Sequence, residues 1–295
     1  MRVNRVRQNV LPVLAALIWG TAFVAQSVSA DYVGPFTFNA VRSAIAFLFL
    51  LGLCAIRRKW GGKSITRSWK NLAVGGVCCG IALTVASNLQ QKGMETTTSG
   101  KAGFITALYI VVVPVVGIFL KKKAPRTIWV SVVLAVAGLY CLCITEDFTV
   151  TQGDFYVLLC ALCFSVHILV IDHFTQTVDG VELSCVQFLT ATVLSSVGML
   201  AVETPSLEAL GMCVWPIVYA GVFSSGVAYT LQILAQKDSD PTVVSLLLSL
   251  ESVFATLAGA LLLHDRMNGR EYFGCVLMLA AVVLAQLPDK TTKAA

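Results

Sequence analysis

Ten stretches of this chain, at 11–30, 36–56, 71–91, 98–120, 127–145, 154–172, 183–202, 212–235, 242–263 and 270–287, each approach the length of an apolar bilayer-crossing helix, about 20 residues. No hydrophilic interval between them is long enough for a separate soluble domain. With 57% of residues apolar and 13% charged, the chain departs from soluble domains, which average about 45–50% and about 25%. Turn signals stand between the stretches at Gly34-Pro35, Gly61-Gly62, Ala124-Pro125, Gly153-Asp154, Thr204-Pro205 and Asp240-Pro241. The expectation is an all-α membrane protein of ten transmembrane helices.

The two halves are related to each other. At an offset of 145, Ala16-Leu17 meets Ala161-Leu162, Val41 meets Val186, Gly76-Val77 meets Gly221-Val222, and Gln91-Lys92 meets Gln236-Lys237. Equivalent loops differ in charge. One holds Arg57, Arg58, Lys59, Lys63, Arg67 and Lys70; its counterpart holds Glu203 and Glu208 with no Lys or Arg. Basic residues stay on the cytoplasmic side, so such loops belong on opposite faces. Five spans per half is an odd number, and the second copy must enter the bilayer upside down. The sequence thus predicts two inverted five-helix repeats, over 1–148 and 149–295, an arrangement found mostly in transporters.

A multi-pass protein of the plasma membrane with cytoplasmic N- and C-termini fits the charges. That orientation puts Arg57 to Lys70, Lys121-Lys122-Lys123, Arg126, Lys290 and Lys293 inside, and Asp31, Glu146-Asp147, Glu203 and Glu208 outside. One loop resists: Asp172 to Glu182 is assigned to the cytoplasm yet has no Lys or Arg. Arg2, Arg5 and Arg7 precede an apolar run ending in Val28-Ser29-Ala30, which has the small residues of a signal-peptidase site. The run aligns with an internal segment starting near Tyr156, which argues for a retained first helix. Small residues four apart, at Ala16/Gly20, Gly76/Gly80, Ser245/Ser249 and Ala255/Gly259, permit close helix crossings that serve packing or act as hinges.

Several function classes find no support. The net charge of +5 reports membrane orientation rather than nucleic-acid binding. Cys160-x-x-Cys163 has redox or zinc spacing, but no second pair completes a metal site, and the cysteines read as small apolar wall residues. Ser224-Ser225-Gly226 lacks the flanking motif of a hydrolase, and no phosphate loop, HExxH or carboxylate pair of clear catalytic spacing is present. No cofactor and no catalytic residue is called for.

Polar groups at membrane depth are costly and are site candidates by default. Glu251 lies about nine residues into the ninth stretch, roughly 14 Å along a helix. It fits either a helix-packing hydrogen bond or a substrate or proton role. Arg42 lies about two turns into the second stretch, either snorkelling outward, binding a substrate anion or pairing with a carboxylate. At the offset it meets Gln187, so that position stays polar but loses its charge. His167, mid-way in the sixth stretch, fits a packing bond or proton exchange. His173 and His264 sit at ends. The uncharged candidates are Trp19, Gln26, Asn88, Gln90, Tyr109, Tyr229 and Gln232.

At these residues the chain resembles the EamA family of the drug/metabolite transporter superfamily. The segment Leu17-Ile18-Trp19-Gly20-Thr21-Ala22-Phe23 looks like the family's first span, and Pro35 followed by Arg42 its second. Ala107-Leu108-Tyr109 through Val113-Pro114-Val115 is similar to its fourth, and Leu250-Glu251-Ser252-Val253-Phe254-Ala255 to its ninth. The resemblance implies ten helices in two inverted repeats, a central cavity and alternating access for a small metabolite, often an amino acid. Two departures stand out. Ser252 replaces the ninth-span proline, an exchange expected to stiffen that helix. The acidic residue after the fourth span is absent at Lys121-Lys122-Lys123, and only Asp265 remains in the second copy.

The leading expectation is a secondary transporter that exports a small metabolite. Its cavity would be lined by Trp19, Tyr109, His167, Tyr229, Gln232 and Glu251, with Arg42 orienting an anionic group. The partners called for are that substrate, the lipid bilayer, and a proton as coupling ion through Glu251 or His167. Two alternatives stay open: a membrane enzyme acting on lipid or peptide, and a sugar-phosphate or nucleotide-sugar carrier, which would need more deep cations.

Overall fold

The computed structural model describes residues 2–61, 64–66, 68–97, 99–119, 125–143, 151–262 and 268–286. The expectations for Lys63, Arg67, Lys121-Lys122-Lys123, Glu146-Asp147, His264, Asp265, Lys290 and Lys293 lie outside the described residues. Among the described residues the regular structure is entirely helical. The first half contains α1 (Arg2–Ala30), α2 (Pro35–Lys59), α3 (Trp69–Gly93), α4 (Ser99–Ala107), α5 (Tyr109–Phe119) and α6 (Arg126–Cys143). The second contains α7 (Gln152–Phe174), α8 (Gly180–Val202), α9 (Leu207–Met212), α10 (Val214–Tyr219), a π-helical segment (Ala220–Ala228), α11 (Tyr229–Gln236), α12 (Pro241–Leu248), α13 (Glu251–Leu262) and α14 (Gly269–Ala285).

Eight candidate spans among the described residues are long and apolar enough to cross a membrane, with α4–α5, α10–α11 and α12–α13 each making one. The stretch Arg126–Cys141 of α6 is shorter, and α14 has 17 residues. α6 runs up to residues outside the description, whereas α14 is bounded by its caps Asn268 and Gln286. The protein is a multi-pass membrane protein. Its turn signals sit where helices start. Pro35 and Pro241 occupy first-turn positions, where their missing N–H costs nothing. The side chains of Ser68, Thr151, Asp179, Ser206, Asp240 and Asn268 accept from first-turn amides.

Helix ends sort onto two faces. On one, Arg57 Nη1 and Nη2 donate to the two Asp179 carboxylate oxygens at 2.9 and 3.1 Å, and Arg58 reaches Glu182 at 3.4 Å. On the other, Glu203 accepts from the Phe36 and Thr37 amides at 2.9 and 2.7 Å and from the Thr37 hydroxyl at 2.6 Å, taking the place of an N-cap that Gly34 cannot supply. The loop that resisted orientation by charge is thereby explained. Its acids, Asp179 and Glu182, answer the basic end of α2 directly. Asn9 donates to Gln286 at 3.1 Å and Gln8 donates to the Asp238 carbonyl, which brings both ends of the described chain to this same basic face. On the Glu203 face, Lys101 pairs with Asp154 at 2.7 Å and Thr97 donates to the same carboxylate.

Small residues mark the close crossings. A Cβ on Gly76 or Gly80 would meet Val186 or Thr190 of α8, and one on Gly20 would meet Glu251, Phe254 and Ala255 of α13. One member of each of two predicted small-residue pairs, Gly20 and Ala255, thus meets the other across the α1–α13 crossing.

Three stretches predicted as single helices are interrupted. In α4–α5 the ladder tightens at Leu108, whose amide donates to Ile105 O at 3.2 Å while Val111 N donates to Leu108 O at 2.9 Å. Pro114 frees the Ile110 carbonyl one turn on. The matching break in α12–α13 falls at Ser249-Leu250, with Leu250 N on Leu247 O and Ser252 N on Ser249 O at 3.3 and 3.2 Å. Ser252 thus does not stiffen the helix as expected. Its hydroxyl donates across to Gly103 O at 3.2 Å and holds the two interrupted segments together. The third interruption is the π-helical segment, which widens the chain opposite α2 where Gly221 sits against Ile45 and Arg42.

Candidate functional site

Trp19, Phe23 and Gln26 follow one another at spacings of four and three, so they share one face of α1. They border a cavity of about 470 Å³, counted to its open mouth, that also meets α2, α3, α4, α5, α7, α11 and the interrupted α12–α13. Of the seven residues nominated from sequence, Trp19, Arg42, Tyr109, Tyr229, Gln232 and Glu251 line it. The helix breaks explain the convergence. Tyr109 begins α5 and Glu251 begins α13, and Tyr109 Oη donates to Glu251 Oε1 at 3.0 Å.

The aromatic side is tightly ordered. Trp19 Nε1 donates to the Ser224 carbonyl in the π-helical segment at 3.1 Å. Its ring meets Tyr229 edge-on with centroids 4.7 Å apart, and Phe188 backs Tyr229 at 5.6 Å. The polar side is less satisfied. The buried carboxamide oxygens of Gln26 and Gln232 have no hydrogen-bond partner among the described residues. Arg42 is only 4% exposed, and no hydrogen bond or carboxylate meets its guanidinium among the described residues; the Phe38 ring centre lies 5.1 Å from it. A buried cation left without a partner is expensive.

His167 is the correction. It does not line the cavity: it is fully buried behind Tyr229, 5.8 Å between centroids, and its Nε2 meets Gln187 Oε1 at 3.1 Å. Gln187 is the residue 145 positions after Arg42. Where the first half keeps an unpaired cation, the second holds a His–Gln contact, with His167 Nδ1 and Gln187 Nε2 left without a partner among the described residues. Asn88 is likewise structural, donating to Thr84 O and Ser195 and accepting from Asn39. Gln90 does line the cavity and donates to Thr106 at 3.1 Å. Thr106, Phe164, Ile168 and Leu248 line it without any sequence signal, because nearly every face of these helices is apolar, and Phe23 entered only as part of the first-span motif. Ser224, noticed first as a false hydrolase motif, contributes its carbonyl instead. No group of His, Cys, Asp and Glu among the described residues could hold a metal.

The sequence profile of the EamA-like transporter family matches this chain twice, over residues 8–144 and again over 151–287. The chain belongs to the EamA-like transporter family. An EamA-like relative described as an uncharacterized transporter of Archaeoglobus fulgidus is 31% identical over 97% of this chain and 87% of its own length. A chloroplastic WAT1-related protein of Arabidopsis thaliana is 23% identical over 92% of this chain and 67% of its own. The uncharacterized transporter YoaV of Bacillus subtilis is 22% identical, over 91% and 92%. A protein of known crystal structure superposes with a TM-score of 0.80 over 97% of this chain and 99% of its own; at 19% identity the likeness is one of fold alone. The EamA-like chain is a membrane transporter and not an enzyme.

Proposed function

We propose that the protein exports a small metabolite such as an amino acid by alternating access, as a secondary transporter. The observation that carries the reading is the cavity itself, which gathers an unpartnered Arg42 and a Glu251 carboxylate around one apolar, aromatic wall. A cation at one point and an anion at another suit a solute that carries both charges. Arg42 would take its carboxylate and Glu251, with Tyr109, its ammonium group. Arg42 is the one Lys or Arg among the described lining residues, which disfavours sugar phosphates and nucleotide sugars, with their several anionic oxygens.

The reading includes ten spans in two inverted five-helix repeats, 1–148 and 149–295, in the plasma membrane with cytoplasmic termini. The double profile match, the paired helix breaks and the meeting of residues 9 and 286 support it. It includes a proton as coupling ion carried by Glu251, since Glu251 borders the cavity and His167 does not. Efflux from proteoliposomes loaded with a panel of amino acids tests this. The wild type should move a subset of them, Arg42→Gln should lose that transport, and Glu251→Gln should lose its response to a pH gradient. Transport indifferent to Arg42→Gln would sink the carboxylate assignment, and an undiminished pH response would clear Glu251.

A further inference from the structure

The segment from Arg57 to Lys70, which joins α2 to α3, holds six Lys and Arg, and its described residues are anchored. Gly61, at a φ of 75° that favours glycine, reverses the backbone just after Lys59. Ser64 and Thr66 hydroxyls donate to Glu182 Oε2 at 2.8 and 2.6 Å, and the Asp179 amide donates to Thr66 Oγ1 at 3.0 Å. With Arg57 on Asp179, the two acids that meet this turn lie beneath it, each with its side chain 9% exposed.

The outward side has a different chemistry. Arg58, Lys59 and Lys70 are exposed there, with Trp60 83% and Trp69 67% exposed between them. The Arg58 guanidinium lies 5.9 Å from the Trp69 ring centre. Trp60 follows the span Pro35–Lys59 and Trp69 opens the span Trp69–Gly93, so both indoles stand where a span meets the interface. Two other connections on this face carry less basic charge, since 174–180 has no Lys or Arg and 236–241 sets Lys237 beside Asp238 and Asp240; the basic run Lys121-Lys122-Lys123, assigned to the same side by charge, lies outside the described residues.

We propose that this surface docks the headgroups of anionic phospholipids in the leaflet it faces. Indoles settle at headgroup level, and basic residues beside them meet phosphate within a Debye length of the surface. The 3.4 Å approach of Arg58 to Glu182 is long for a charged hydrogen bond, so the guanidinium can turn to phosphate while Arg57, Ser64 and Thr66 keep the turn in place. Docking would hold the turn, and the joined ends of α2 and α8, at a fixed depth. This inference needs only the membrane location and not the substrate or direction of transport.

Native mass spectrometry of the full-length protein, extracted from bilayers of phosphatidylcholine mixed with phosphatidylglycerol, reads the lipid retained. The wild type should prefer phosphatidylglycerol, less so at high salt. Lys59→Gln with Lys70→Gln should lower that preference about fivefold per charge removed, while Trp60→Ala lowers retention of both lipids. The double variant should unfold in pure phosphatidylcholine at the wild-type temperature, since both side chains are exposed. Equal retention of the two lipids by the wild type, or a preference that survives the double substitution, overturns the proposal. So does displacement of phosphatidylglycerol by inorganic phosphate, which would make the surface a site for a soluble anion.

Discussion

Replacing Gly20 by alanine should loosen the site although Gly20 itself does not line it. The added methyl would lie 2.6 Å from Phe254 Cβ, 2.7 Å from the Glu251 carbonyl oxygen and 2.8 Å from the Ala255 amide nitrogen. Two of these are main-chain atoms and cannot rotate aside. Ordinary contact begins near 3.4 Å, so α1 and α13 would have to part by about 0.7 Å. Overpacking of this kind costs about 1–3 kcal/mol, and rigid obstacles favour the upper half of that range. Alanine returns up to about 1 kcal/mol of helix propensity, leaving a net loss of about 1–2 kcal/mol. Gly52 is the control: it is also helical, and a Cβ there meets nothing within 4 Å. Gly52→Ala should be neutral or gain up to about 1 kcal/mol. Unfolding in one detergent reads both variants against the wild type. Because Glu251 heads α13, the shift would also draw its carboxylate from Tyr109, and transport by Gly20→Ala should show a raised KM. If Gly20→Ala were as stable as Gly52→Ala, the crossing would not be as close as described.

Glu203→Ala should lower stability by about 1–2 kcal/mol, because the amides of Phe36 and Thr37 lose their only cap; an unchanged unfolding free energy would show that water replaces the carboxylate without loss. At Asp179, burial pushes the carboxyl pKa up, but the hydrogen bonds and charge of Arg57 outweigh it, and the pKa lies below the usual carboxylate range. The folded state therefore holds this proton less tightly than the unfolded chain. The stability it adds is fully present above about pH 4–5 and is lost as pH falls through the depressed value. Acid titration of unfolding should show a loss at the acid end that Asp179→Asn lacks; identical acid limbs would exclude this carboxylate as the cause.

Bilayer-length apolar runs, turn dipeptides and loop charge made most of the helix layout legible, because each reports a local rule. What escaped were features set between helices. The tightening at Leu108 and at Ser249-Leu250 depends on partners across the bundle, such as Gly103 O for Ser252, so the missing proline misled. In the site, deep polar and aromatic residues were visible because polar groups are rare and costly in bilayer-length apolar runs. His167 met that criterion equally well, and only the position of Gln187 shows that its polarity is spent inside the wall. The apolar lining could not be found from sequence, since Phe164 and Ile168 look like any lipid-facing neighbour.

The joining of α2 to α8 at both ends has a mechanical consequence. Two parallel rods bolted at one end can scissor; bolted at both, they can only swing as a single lever. Here Glu203 is one bolt and the Arg57–Asp179 contact is the other. Any movement that exposes the cavity to alternate sides would leave the distances between these two rods constant. The flexing would fall instead to α4–α5 and α12–α13, whose main chains are already interrupted beside Tyr109 and Glu251. The residues that face the solute would then also be the joints on which the lever turns.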